Sequence, residues 1–170
     1  MGLRLTILFI IISTISRGQQ VDFELTNIKF KGLEFKTTKE NIIKSFGQGK
    51  KLETDYECGF FTNDQAGGPY YQLVYTDFNY IGSDKEDFFL QSVKFDLKGN
   101  MKIRYKDKEL SGQTTKEDFI RIMYGDKEWE NLKNYFDIDV LIIYSKNGDD
   151  GARFIFKNGR LNKFEYWTPC

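Results

Sequence analysis

The side chains of this sequence bound its chemistry before any fold is considered. There is no histidine among its 170 residues. That removes the usual general base near neutral pH and the commonest transition-metal ligand. Carboxylates remain, in two clusters: Asp84, Glu86 and Asp87, and the adjacent Asp149 and Asp150. Paired carboxylates can hydrolyse glycosides, but their separation across a cleft decides this, and a sequence does not supply it. Both clusters lie among turn-forming residues and read as solvated. Asn147–Gly151 lacks the ligand spacing and closing Glu of a calcium loop. The reading therefore assigns no catalytic, cofactor-binding or metal-ligating residue.

The two cysteines, Cys58 and Cys170, carry a different kind of chemistry. With no histidine to activate a thiolate, neither reads as a nucleophile. Residues 1–18 read as a signal peptide. Arg4 supplies the positive start, Leu5–Ile12 a short apolar run, and Ser16 and Gly18 the small residues before a cleavage site. The run is too short to span a membrane, which takes about 20 apolar residues. Export to an oxidising periplasm or beyond favours a Cys58–Cys170 disulfide. The mature chain, 19–170, then reads as one domain.

Lys plus Arg and Asp plus Glu both number 25, so the formal net charge is zero. That removes the electrostatic argument for nucleic acid, which needs a basic surface, and no nucleic-acid partner is expected. Aromatics make up 16% of the chain, and they are preferred anchors at protein interfaces. They crowd two places, Tyr70 to Tyr80 and Phe164 to Trp167. The alternating Tyr71, Leu73 and Tyr75 read as core. Phe78, Tyr80 and Trp167 read as surface residues that bind a protein partner. The oligomeric state is left open.

Two similar stretches must position these residues. TTKENIIKSFG starts at Thr37 and TTKEDFIRIMYG at Thr114, 77 positions on. Thr37-x-x-Glu40 and Thr114-x-x-Glu117 fit capping boxes. Ile42, Ile43 and Phe46 form one apolar stripe; Phe119, Ile120, Met123 and Tyr124 form the other. Gly47 and Gly125 are placed to end the helices. Around them the spacing predicts strands. One alternates from Val21 to Phe30, and one spans Tyr71–Tyr75. A hairpin joins Phe89–Leu97 to Met101–Tyr105 about Lys98-Gly99-Asn100. Trp129, Leu132 and Phe136 suggest a further helix. Val140–Tyr144 is a nearly continuous apolar run and reads as a central strand. Asn158-Gly159 joins Ala152–Lys157 to Arg160–Trp167 as a type I′ hairpin. Between its landmark glycines the first half is 18 residues longer, an excess placed in loops at Thr62–Pro69 and Phe78–Glu86.

A unit that begins Thr-x-x-Glu, ends aromatic-Gly and continues into strands resembles the β-lactamase inhibitor protein-like fold. The matching stretches are Thr37–Gly47, Phe95–Tyr105, Thr114–Gly125 and Phe154–Tyr166. The resemblance covers most of the mature chain through degenerate motifs. It also extends to small outer-membrane assembly lipoproteins, whose lipid-anchored Cys this chain lacks. The resemblance implies an α+β fold of two tandem helix-plus-antiparallel-sheet repeats, about 19–106 and 107–170, packed as one domain. It further implies a concave sheet that grips a protein. The expected function is an exported, non-enzymatic protein-binding module, an inhibitor or immunity-type protein being one concrete form. The competing expectations are a carboxylate-dependent periplasmic hydrolase and a small-ligand carrier with an aromatic cleft.

Overall fold

The computed structural model describes residues 22–54, 69–126, 139–146 and 148–169. Within them the fold is α+β: antiparallel sheets with two helices. Residues 1–18, Cys58, Cys170, the helix expected at Trp129–Phe136 and nearly all of the loop expected at Thr62–Pro69 lie outside the described residues.

The first described element is a 3₁₀ turn at Leu25–Asn27, and of the strand expected over Val21–Phe30 the described part is strand only from Ile28. A tight hairpin follows, β1 (Ile28–Phe30) and β2 (Leu33–Glu34). Lys31 and Gly32 turn it with positive φ of 47° and 88°, the left-handed pair that a type I′ turn demands. Next come β3 (Lys36–Thr37) and α1 (Lys39–Phe46). The strands β4 (Lys50–Glu53), β5 (Tyr71–Val74), β6 (Phe78–Gly82) and β7 (Phe88–Lys94) form an antiparallel meander. A second hairpin, β8 (Lys102–Tyr105) and β9 (Lys108–Ser111), leads into α2 (Lys116–Tyr124). The strands β10 (Val140–Tyr144), β11 (Gly151–Lys157) and β12 (Arg160–Trp167) complete the order.

Two sheets result. The small one runs β2-β1-β8-β9; the large one runs β10-β11-β12-β7-β6-β5-β4, with β3 beside β7. At the centre of the small sheet Ile28 faces Tyr105, Lys29 faces Arg104 and Phe30 faces Ile103. At the centre of the large one Val93 faces Phe164. The register steps between Asn79 and Tyr80 where β6 meets β7, and between Ile155 and Phe156 where β11 meets β12. In the core Phe154 packs its ring on Phe119 at 4.6 Å, on its cross-strand neighbour Phe164 at 5.7 Å and on Phe23 at 6.4 Å.

Both helices form where expected, but each is capped one residue later than the capping boxes predict. Thr38 accepts from Asn41 N, and Thr115 from Asp118 N. The first threonine of each pair is already engaged. Thr37 belongs to β3 and faces Phe88, while Thr114 Oγ1 accepts from Ser111 N at 3.0 Å. Glu40 and Glu117 therefore sit in the first turn, where a carboxylate favours the helix dipole without closing a box. Gly47 and Gly125 end the helices as expected, their N–H groups donating to Ile43 O and Arg121 O. Thr38→Ala and Thr115→Ala are each expected to lower stability by about 1 kcal/mol in urea melts. Neutral substitutions at both positions would remove the capping assignment.

Three further expectations are corrected. No hairpin joins Phe89–Leu97 to Met101–Tyr105, because β7 and β8 belong to different sheets. The crossover is built on Asp96, whose carboxylate accepts from the backbone N–H of Met101 at 2.7 Å, Lys98 at 2.9 Å and Asn100 at 3.3 Å. The bond from Met101 leads those that hold the Asp96 carboxyl below its usual range. The Phe78–Glu86 loop is instead strand β6 followed by a short turn. Val140–Tyr144, read as central, is the edge strand β10 of the large sheet. The boundary placed near residue 106 falls in the turn of the β8–β9 hairpin.

Candidate partner-binding surface

The edge position of β10 gives its sequence a different meaning. Side chains alternate across a strand, so Leu141 and Ile143 turn inward while Val140, Ile142 and Tyr144 turn out. Ile143 is buried; Val140, Ile142 and Tyr144 are 41%, 38% and 53% exposed. Three alternate apolar side chains thus stand in solvent on one short strand.

The rows beside them are set by register. Tyr144 faces Gly151, which faces Trp167. Gly151 has no side chain, so the flanking rings meet across it, with centroids 5.1 Å apart and planes at 88°. The edge-to-face arrangement is a favoured one for aromatic pairs. Ile142 faces Arg153, and Arg153 faces Glu165, with Arg153 Nε 3.4 Å from a Glu165 carboxylate oxygen. Lys163 reaches the same side chain at 2.6 Å. The surface therefore combines an aromatic pair, an apolar edge and a charged row in which Arg153 and Lys163 share the Glu165 carboxylate. A core of aromatics with a polar rim is the anatomy of a protein interface.

Of the three predicted partner-binding residues, only Trp167 stands at this surface. Tyr80 is 0% exposed and belongs to the core. Phe78 is half-buried, stacked on Tyr75 at 4.6 Å and packed on Phe30 and Phe46 at 4.8 Å each. A loop would have left both rings free; a strand within the large sheet turns them onto α1 and β1. Sequence reasoning missed Val140, Ile142 and Tyr144, because an unbroken apolar run is equally the signature of a buried strand.

The first carboxylate cluster is tied down. Lys39 Nζ and Tyr71 Oη each donate to Asp84 Oδ1 at 2.6 Å, and Tyr70 Oη donates to Glu86. The Lys39 bond leads in holding the Asp84 carboxyl below its usual range and in raising the Lys39 ammonium. A carboxyl that must donate a proton near neutral pH needs the opposite shift. This group clamps the turn after β6 to α1 and lines an open polar cavity of about 670 Å³ with Lys36, Asp87 and Phe89.

A second cavity, of about 620 Å³, has an aromatic wall of Phe35, Phe89 and Tyr166, beside Lys146, Asp149 and Asp150. Phe89 and Tyr166 stack at 6.1 Å, and Tyr166 Oη lies 3.2 Å from Asp150 Oδ2. Among the described residues no group of three or more His, Cys, Asp or Glu is placed to hold a metal ion. No described helix is long and apolar enough to cross a membrane.

No protein-family model, curated protein or solved structure matches this chain. The resemblance to the β-lactamase inhibitor protein-like fold thus rests on the quoted motifs alone.

Proposed function

We propose that this is an exported, non-enzymatic protein-binding module that seats its partner on the β10–β12 end of the large sheet, with Trp167 as an anchor. The observation that carries this is the Tyr144–Trp167 ring pair, standing beside exposed Ile142 and Val140. Soluble proteins rarely leave such neighbouring apolar groups open without a use for them. The zero formal charge supports a protein partner over nucleic acid. Export is supported by Arg4, the Leu5–Ile12 run and the small residues Ser16 and Gly18. An inhibitor or immunity-type role is the concrete form that the resemblance implies.

The same reading makes the domain two copies of one unit. Ile28–Phe35 reads IKFKGLEF and Ile103–Leu110 reads IRYKDKEL, 75 positions on. That shift carries Lys29 onto Arg104, the pair at the centre of the β1–β8 register, and exchanges the flanking pairs. Such self-exchange is what a local two-fold axis produces. The large sheet supports it as well. Val93 and Phe164 face each other 71 positions apart, and the register steps leave Gln91 and Asn162 as the extra residues, also 71 apart. The second copy then starts with β8, ahead of the expected boundary near residue 106.

A second reading, small-ligand carriage, is favoured by one observation, the aromatic wall of the 620 Å³ cavity. Its volume lies within the roughly 300–1,000 Å³ of ordinary ligand sites. Native mass spectrometry of the protein taken from its own host separates the two. The proposal expects the mass of chain 19–170 and a complex whose added mass is a polypeptide. A stoichiometric small molecule would move the function to the cavity, and a full-length cytosolic chain would remove export.

A further inference from the structure

The two ends of the large sheet are finished differently. At one end β4 carries Lys50, Lys51, Leu52 and Glu53, all exposed, and Lys51 pairs with Glu53 at 3.8 Å. Charged edge strands of this kind discourage further pairing. At the other end β10 is Val-Leu-Ile-Ile-Tyr, with no charge, Pro or bulge. Among the described residues only β11 pairs with it, so one line of backbone N–H and C=O groups faces outward. Among the described residues Val140–Tyr144 has none of the usual guards, and the chain is next held just past the strand, where Lys146 N donates to Phe23 O at 2.9 Å.

We infer that β10 pairs antiparallel with β10 of a second copy of this chain, about a two-fold axis at Ile142. The strand is self-complementary in that arrangement. Its five residues centre on Ile142, so Ile142 meets Ile142 of the copy and Val140 meets Tyr144, a small side chain against a large one. The row through the axis would read Glu165, Arg153, Ile142 and then the same three reversed. Each Arg153 keeps Glu165 at 3.4 Å on its own side, a carboxylate it shares with Lys163, and the residues that meet at the join are apolar. The two Arg153 side chains would stand three strand spacings apart, roughly 14 Å, beyond the Debye length of about 8–10 Å at physiological salt.

Other occupants fit less well. Pairing β10 with β4 of a copy would set Ile142 and Tyr144 beside Lys50, Lys51 and Glu53. It would also be head-to-tail, propagating an open chain instead of closing. A foreign strand would need to be uncharged, with apolar groups at alternate positions; this chain carries such a strand itself. The join is short, so the dimer is a weak one. It leaves Trp167 and the open sheet face free and places two such faces in one continuous sheet. The inference does not depend on the partner-binding reading, and the variants below leave Trp167 in place.

Sedimentation velocity of the mature chain, from about 1 μM to about 500 μM, brackets an interface below the standard size. The expected result is a reversible monomer–dimer equilibrium. Ile142→Lys sets like charges directly opposite each other and should raise the dissociation constant at least about tenfold, with the melting temperature unchanged. Ile142→Thr, which keeps the β-branch, should weaken the dimer less and serves if the Lys variant fails to fold. Leu52→Lys on the opposite edge should change nothing. A wild type that stays monomeric throughout, species larger than dimers, or an Ile142→Lys chain that associates as well as wild type would each overturn the inference. Loss of the dimer in Leu52→Lys would overturn it too.

Discussion

Tyr80→Ala is expected to cost about 3–5 kcal/mol of folding free energy, the range for emptying a large aromatic site in a core. Tyr80 is 0% exposed and packs near Phe46 and Phe78, with centroids at 6.4 and 6.2 Å. A domain of this size is stable by only about 5–15 kcal/mol, so the variant should melt far below wild type or fail to fold. Tyr80→Phe separates the ring from its hydroxyl. Among the described residues the Tyr80 hydroxyl is buried without a hydrogen-bond partner, and burial pushes its pKa upward. Removing an unpartnered buried hydroxyl relieves a desolvation cost, so Tyr80→Phe should gain on the order of 1 kcal/mol. Urea melts of the two variants read both effects. A Tyr80→Ala chain as stable as wild type would put the ring at the surface.

Gly151→Val should lower stability by about 1–3 kcal/mol or more, the usual cost of overpacking. A Cβ at Gly151 would meet the Ile143 carbonyl oxygen at 2.2 Å and Tyr144 Cα at 2.9 Å. Both atoms are backbone and cannot swing away as a side-chain tip can. β10 would have to move off β11, taking Tyr144 from Trp167. The predicted signature is therefore double: a lower urea midpoint and a loss of near-ultraviolet circular dichroism from the ring pair. Wild-type values for both would contradict the close approach of the two strands.

Elements governed by local chemistry were legible in the sequence. The stripes that end at Gly47 and Gly125, and the Asn158-Gly159 hairpin, depend on neighbours a few residues away. So does alternation, which marks Tyr71–Val74 correctly. What required the structure is pairing between distant segments. The capping boxes slip by one because Thr37 and Thr114 are engaged by β7 and by the β9 turn. Lys98-Gly99-Asn100 has the composition of a hairpin turn, yet the four bonds to the Asp96 carboxylate make it a crossover between sheets. Tyr80 and Val140–Tyr144 exchange their expected places for one reason. A strand's burial is set by what lies on either side of it, and nothing in its own residues says so. The likeness of IKFKGLEF to IRYKDKEL is visible in the chain throughout. It carries weight only once Lys29 is found facing Arg104.

The claim that the β10–β12 end seats a protein partner turns on Trp167. Its direct measurement is the affinity of wild type and Trp167→Ala for the polypeptide that co-purifies with the mature chain from its host, read by isothermal titration. An aromatic anchor at an interface typically costs 2 kcal/mol or more on truncation, so the variant should bind at least about thirtyfold more weakly. Because Trp167 is only partly buried, its melting temperature should stay close to wild type. Equal affinities in two equally folded chains would contradict the account and place the interface elsewhere.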